Sequence, residues 1–254
     1  MIYAVAALGA LVGAITGLVG AGGGIIAVPS LIYIAGVPLP TAVSTSLIMG
    51  ALAPLGAIIP RLRGGVDWRT AGAVIVGGIP AAFAGTFIGS LLPDEIVLVG
   101  FATLMLVAGA QMLRGRRENG DDRLARPKLW ILRALGVGVA VGFLTGLLGV
   151  GGGFITVPAL VALLGLSLRL AIGTSLVVTV VNALAGIAAH ASVTQPDWAI
   201  ALAFGIPSVI VAFASALVAR RLPERVLRIC FATLVLLAGA GTAIQAVIGI
   251  VTAH

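Results

Sequence analysis

The chain of 254 residues is 60% hydrophobic and only 9% charged, with a mean hydropathy of +1.23, a makeup that excludes a soluble globular domain. A formal net charge of +7 would suggest nucleic acid as a partner of a soluble chain. Here the fourteen arginines and Lys128 sit mainly in short connections between apolar runs, where they orient a membrane protein instead. The expected class is an all-α polytopic membrane protein, with membrane lipid as its surroundings and no nucleic acid partner. The single cysteine, Cys230, falls in an apolar run and leaves no disulfide framework or paired-cysteine metal site.

Apolar runs follow one another from the start. Residues 2 to 19 form the first, and because no basic leader precedes them they are expected to stay in the membrane. A glycine cluster follows, and then residues 24 to 35, a run that reaches about 18 Å as a helix against a bilayer core of about 30 Å. That is a half-helix or a broken one. Residues 41 to 60, 70 to 92 and 96 to 113 read as full spans, the last two separated by a tight loop at Pro93-Asp94-Glu95. Residues 114 to 133 are rich in arginine and acidic side chains and are read as a basic cytoplasmic linker. They divide an N-terminal transmembrane repeat, 1 to 113, from a C-terminal one, 134 to 254, whose runs lie at 134 to 148, 154 to 164, 170 to 189, 199 to 219 and 226 to 250.

The halves are related in sequence. Gly17 to Pro29 reads Gly-Leu-Val-Gly-Ala-Gly-Gly-Gly-Ile-Ile-Ala-Val-Pro, and Gly146 to Pro158 reads Gly-Leu-Leu-Gly-Val-Gly-Gly-Gly-Phe-Ile-Thr-Val-Pro. Thr16 and Thr145 precede the two copies. Ala42-Val-Ser-Thr-Ser-Leu returns as Ala171-Ile-Gly-Thr-Ser-Leu, Asp67-Trp68 as Asp197-Trp198, and Gly78-Ile-Pro as Gly205-Ile-Pro. Similarity kept in this order is an internal duplication.

Loop arginines favour the cytoplasm, and their bias reverses between the halves. Arg61, Arg63 and Arg69 follow the third run of the first half, while the matching stretch near residues 190 to 197 has none. Arg220, Arg221, Arg225 and Arg228 stand where the Pro93 loop has no basic residue. The halves are therefore expected to be inverted-topology repeats of about five helical segments each, with broken or re-entrant helices at the paired glycine turns. The linker lies inside and both termini outside. Ten crossings and eight crossings with two re-entrant hairpins satisfy the pattern equally.

Every Asp and Glu lies in a loop or at the end of a run, so no carboxylate is available in mid-membrane for a proton relay or an aspartyl protease. His190 stands at the end of a run and reads as interfacial. No nucleophile, base and metal cluster stand together, so the chain is not expected to be an enzyme, and neither metal nor cofactor is expected. Glycine turns and hydroxyls remain. Helices starting at Gly22, Gly23 and Gly24 and at Gly151, Gly152 and Gly153 would present free N–H groups and a positive dipole end, which attract anions. Glycine at depth is tolerable where it lines a polar cavity, and close helix packing is the bland alternative. Thr45 and Ser46, with their counterparts Thr174 and Ser175, would donate hydroxyl hydrogen bonds or cap helices. Thr16, Thr145, Ser44 and Asn182 are candidates for the lining of the same cavity. Pro29, Pro80, Pro158 and Pro207, in matched pairs, are expected to break or kink their helices.

The doubled glycine segment, each copy followed by Ala-x-x-Thr-Ser-Leu, in halves of about 130 residues, resembles the sulfite exporter TauE/SafE family of permeases. The resemblance covers essentially the whole chain. It implies a multi-pass inner-membrane transporter, an exporter of small sulfur-containing anions such as sulfite, thiosulfate or organosulfonates. The copies are imperfect, since Ser44 is matched by Gly173 and Ser30 by Ala159, so the halves would contribute unequally. A cation-coupled importer of a small anion or neutral solute, and a membrane scaffold or assembly factor, stay open beside it, as does a homo-oligomer.

Overall fold

The computed structural model describes residues 2–20, 39–89, 91, 94–114, 129–148, 153–190 and 198–252. Among them are nine α-helices and no strand. In chain order these are α1 (Ile2–Val19), α2 (Leu39–Ile58), α3 (Trp68–Gly89), α4 (Asp94–Arg114), α5 (Trp130–Leu148), α6 (Gly153–Leu164), α7 (Leu168–His190), α8 (Trp198–Ala219) and α9 (Glu224–Thr252), with a 3-10 turn, Ile59–Arg61, closing α2. By length and composition α5, α7, α8 and α9 each contain a segment able to cross a membrane. Leu237 and Phe87 leave about 70% of their surface exposed, which lipid accepts and water would not.

The helices begin earlier than the apolar runs do. Trp68, Trp130 and Trp198 are the first residues of α3, α5 and α8, and Trp68 and Trp198 are more than half exposed. An indole at the membrane boundary suits its apolar body and polar N–H. Asp94 and Glu95, read from the sequence as a tight loop, form the first turn of α4 instead. The run 24 to 35 lies outside the described residues, but its counterpart α6 has 12 residues, about 18 Å. Helices α3, α6 and α8 run unbroken through Pro80, Pro158 and Pro207. Proline removes one helical hydrogen bond, a loss that these helices absorb without ending; Pro29 is outside the described residues.

Packing pairs each half with the other. Helix α1 lies along α8, and α5 lies along α3. Gly9, Gly13 and Gly17 of α1 sit against the backbone carbonyls of Phe204, Ser208 and Ala212, while Gly138, Gly142 and Gly146 of α5 sit against those of Val74, Gly78 and Ala82. The two ladders are the same contact in the register of Asp67 and Asp197, in which Gly78 corresponds to Ser208 and not, as the sequence match suggests, to Gly205. Small residues every four positions let the backbones approach closely, which is how helices associate where no water drives them together. Helices α4 and α9 also pair across the halves. Met105, fully buried, lies under Gly239 there, and Leu236 covers Gly109.

Candidate functional site

The start of α7 brings the two halves together. Gly20, with φ of +71°, ends α1 in the left-handed cap conformation that glycine adopts without strain, its N–H donating to Thr16 O at 2.8 Å. It lies against Ile172 of α7. Ser175 Oγ donates within reach of Gly20 O at 3.3 Å and of Ile172 O at 2.8 Å. A hydroxyl has one proton, so that of Ser175 is committed to backbone carbonyls.

Thr174 differs from its neighbour. Its Oγ1 is fully buried and accepts the backbone N–H of Asp67 at 3.0 Å, which leaves the hydroxyl proton to be donated elsewhere. Asp67 itself caps α3: its Oδ1 accepts Thr70 N–H at 3.3 Å and its Oδ2 accepts Thr70 Oγ1–H at 2.7 Å. The loop before α3 thus lies on α7, and Gly173 is where it touches, since a Cβ there would meet Gly65 O. A serine at this position, such as the first copy has at Ser44, would not fit against that carbonyl.

Other buried hydroxyls occur in α1, α2, α5 and α7. Thr45 of α2 is fully buried. Thr16, Thr145 and Thr179 keep hydroxyls that are buried and have no hydrogen-bond partner among the described residues. A helical threonine ordinarily bonds its own preceding turn, so three that do not are notable, and Thr16 and Thr145 occupy equivalent places in the two halves. Gly153 is the first residue of α6, and the segment Gly153 to Pro158 is buried throughout. Asn182 on α7 is half-buried. Gly22, Gly23, Gly24, Gly151 and Gly152, and the side chains of Ser44 and Ser46, lie outside the described residues.

Sequence reasoning missed two residues of this region, Asp67 and Arg61. The cap made by Asp67 had a visible signal in the Asp-Trp pair that opens the same run in each half. Arg61, read as one of several orienting loop residues, is in fact only 7% exposed and donates to Ala57 O at 2.8 Å and Gly17 O at 2.6 Å. Among the described residues no group of three His, Cys, Asp or Glu side chains stands together as a metal site.

Apolar helices paired through glycine ladders, a half-length helix starting in the interior and a set of buried hydroxyls define a multi-pass membrane protein of the transporter class. The chain belongs to the sulfite exporter TauE/SafE family, whose sequence profile matches residues 5–242. It is similar to a probable membrane transporter protein of Xylella fastidiosa (strain 9a5c), 35% identical over 199 residues that cover 77% of this chain and 76% of that one. The probable membrane transporter protein YunE of Bacillus subtilis (strain 168) is 26% identical over 77% of this chain and 80% of its own. YjnA of the same organism, also described as a probable membrane transporter protein, is 28% identical over 91% of this chain and 96% of its own.

Proposed function

We propose that this protein exports a small sulfur-containing anion, such as sulfite, thiosulfate or an organosulfonate, across the inner membrane. The two halves are inverted repeats that exchange access to one site between them, with the basic linker cytoplasmic and both termini outside. Thr45 and Thr174, one from each half, donate hydroxyl hydrogen bonds to the anion oxygens, and the turns at Gly22 to Gly24 and Gly151 to Gly153 add backbone N–H groups and the positive ends of short helices. Ser46 is a further candidate donor, whereas the proton of its counterpart Ser175 is held by backbone carbonyls. Neutral donors stabilise an anion without holding it as tightly as a buried guanidinium would, which suits a ligand that must leave.

The observation that carries this reading is Thr174, fully buried, held by Asp67 N–H and left with a proton to give. The reciprocal glycine ladders support the pairing of inverted halves. A thermal-unfolding series on purified protein with sulfite, thiosulfate, sulfoacetate, taurine, sulfate and chloride tests the reading, because a ligand that binds the folded state raises its stability with concentration. One sulfur anion is expected to stabilise the wild type and to lose that effect in a Thr45→Ala, Thr174→Ala variant. Stabilisation by Na⁺ alone would move the reading to a cation-coupled importer, and no response from a folded protein would favour a scaffold.

A further inference from the structure

A second polar feature lies away from the hydroxyls, where the loop after α2 meets the start of α7 and the end of α8. A cavity of about 270 Å³ opens there, lined by Arg61, Arg63, Arg169 and Arg220 together with backbone of the Gly64-Gly65 turn. No lining residue is acidic. The guanidinium bonds seen around it run to backbone carbonyls. Arg169 donates to Arg220 O at 3.3 Å and Leu222 O at 2.8 Å, Arg220 to Pro60 O at 3.0 Å, and Arg61 to Ala57 O and Gly17 O. A carbonyl fixes an arginine in place without cancelling its charge. Each guanidinium has five donors, and Arg220 is seen to use one of them here.

The arrangement leaves four positive charges facing a shared space. Glu224, the neighbouring acid, accepts Arg169 N–H at 3.3 Å but does not line the cavity. Burial first, and then repulsion by Arg220, pull the Arg61 guanidinium down to about 10, below its ordinary value, so it stays charged at neutral pH while gaining from any anion that enters. An orienting arginine needs only to reach water; one that is buried and braced by carbonyls beside a second guanidinium needs a counter-charge.

We infer that this arginine-lined cavity is a binding site for a tetrahedral oxyanion group, the phosphate, sulfate or sulfonate of a free anion or the phosphate of a lipid headgroup. Guanidinium forks match such oxygens in pairs. The volume lies just under the roughly 300–1,000 Å³ of ordinary small-molecule sites, enough for one such group. The internal repeat does not reproduce these arginines: at the offset of Asp67 and Asp197, Arg61, Arg63 and Arg220 are matched by Ala191, Val193 and Ser90, and at the offset of Thr45 and Thr174, Arg169 is matched by Pro40. The arginine-lined end of the protein gathers anions. On the orientation proposed above that end is cytoplasmic, where an export cycle loads; this last step alone rests on the transport reading.

The test measures binding, so its failure is distinct from a failure of the transport reading, which rests on Thr45 and Thr174. Protein in nanodiscs of phosphatidylcholine alone is titrated calorimetrically with inorganic phosphate and with sulfate, at ionic strength held constant with chloride. In parallel, native mass spectrometry follows retention of phosphatidylglycerol. The variants are Arg63→Gln with Arg220→Gln, the single Arg63→Gln at the exposed rim in case the double variant unfolds, and Arg225→Gln, which removes the same charge outside the cavity lining. A free-anion site predicts saturable binding in phosphatidylcholine, weakened about tenfold or more by the cavity variants and unchanged by Arg225→Gln. A headgroup site predicts retained phosphatidylglycerol that the cavity variants lose and Arg225→Gln keeps. Binding of neither, or binding that all the variants weaken equally, overturns the inference.

Discussion

Thr174 Oγ1 accepts the Asp67 N–H at 3.0 Å, across 107 residues of sequence, and so joins the loop of one half to the helix of the other inside the candidate site. Replacing Thr174 by Val keeps the shape but leaves the Asp67 N–H without its acceptor, which costs about 1–3 kcal/mol. Thr174→Ser keeps the oxygen and is expected to recover most of that loss. Chemical unfolding of both variants in detergent checks the order; equal stability of Val and Ser would mean that the bond contributes nothing.

Asp67 has a second task at the N-terminus of α3. Asp67→Ala removes the acceptor of Thr70 N–H and Thr70 Oγ1–H and is expected to destabilise by about 0.5–2 kcal/mol, whereas Asp67→Asn, also a good cap, should cost less. Hydrogen exchange at the first turn of α3 would rise in the Ala variant before the rest of the helix responds.

The glycine ladders make a sharper prediction, because close approach and open space are distinguished glycine by glycine. A side chain at Gly142 would meet the backbone of Gly78, and one at Gly13 that of Ser208. Gly142→Val and Gly13→Val are expected to cost at least about 1–3 kcal/mol by forcing the helices apart. A Cβ at Gly100 meets nothing within 4 Å, so Gly100→Ala should stabilise α4 by about 0.5–1 kcal/mol. Thermal unfolding of the three separates packing from helix propensity.

Arg61 and Arg63 are two residues apart and predicted to behave oppositely. Arg61→Gln withdraws donors from Gly17 O and Ala57 O and is expected to destabilise by about 1–3 kcal/mol. Arg63→Gln, at an exposed position, should stay within about 0.5 kcal/mol of wild type. Since folded Arg61 releases its proton near 10, below the ordinary value that the unfolded chain keeps, both states hold it well below pH 10 and Arg61 gives no pH dependence there. Between those values the unfolded chain binds more protons, so this group's contribution to stability rises with pH.

Much of this was legible in the chain itself. Long apolar runs placed nine helices to within a few residues, because in a bilayer every backbone group must be satisfied within its own segment. Boundaries slipped at helix starts, as at Asp94, Glu95 and Trp130, where residues flanking the apolar run join the first turn. The repeat was legible as well, yet which helix each glycine meets was not. The spacing of Gly9, Gly13 and Gly17 signals a close contact and says nothing of its partner, since Ser208 is far away in sequence. Arg61 shows the same limit: its composition reads as loop charge, and only the fold buries it. Thr174 was picked out by its recurrence in both halves, but the difference between it and Ser175 depends on which oxygen receives the Asp67 N–H, a matter of geometry.

The most direct measurement is uptake of radiolabelled sulfite, thiosulfate and sulfoacetate by proteoliposomes containing wild type, the Thr174→Ala variant or the Thr45→Ala, Thr174→Ala variant. Loss of one hydrogen bond to a charged ligand is worth about 1.5–3 kcal/mol, or roughly tenfold to a hundredfold in affinity. The account predicts saturable transport of at least one of these anions by wild type, reduced by about that factor with Thr174→Ala and further in the double variant while both remain folded. Transport that is absent for every sulfur anion, or equal in all three proteins, would contradict it.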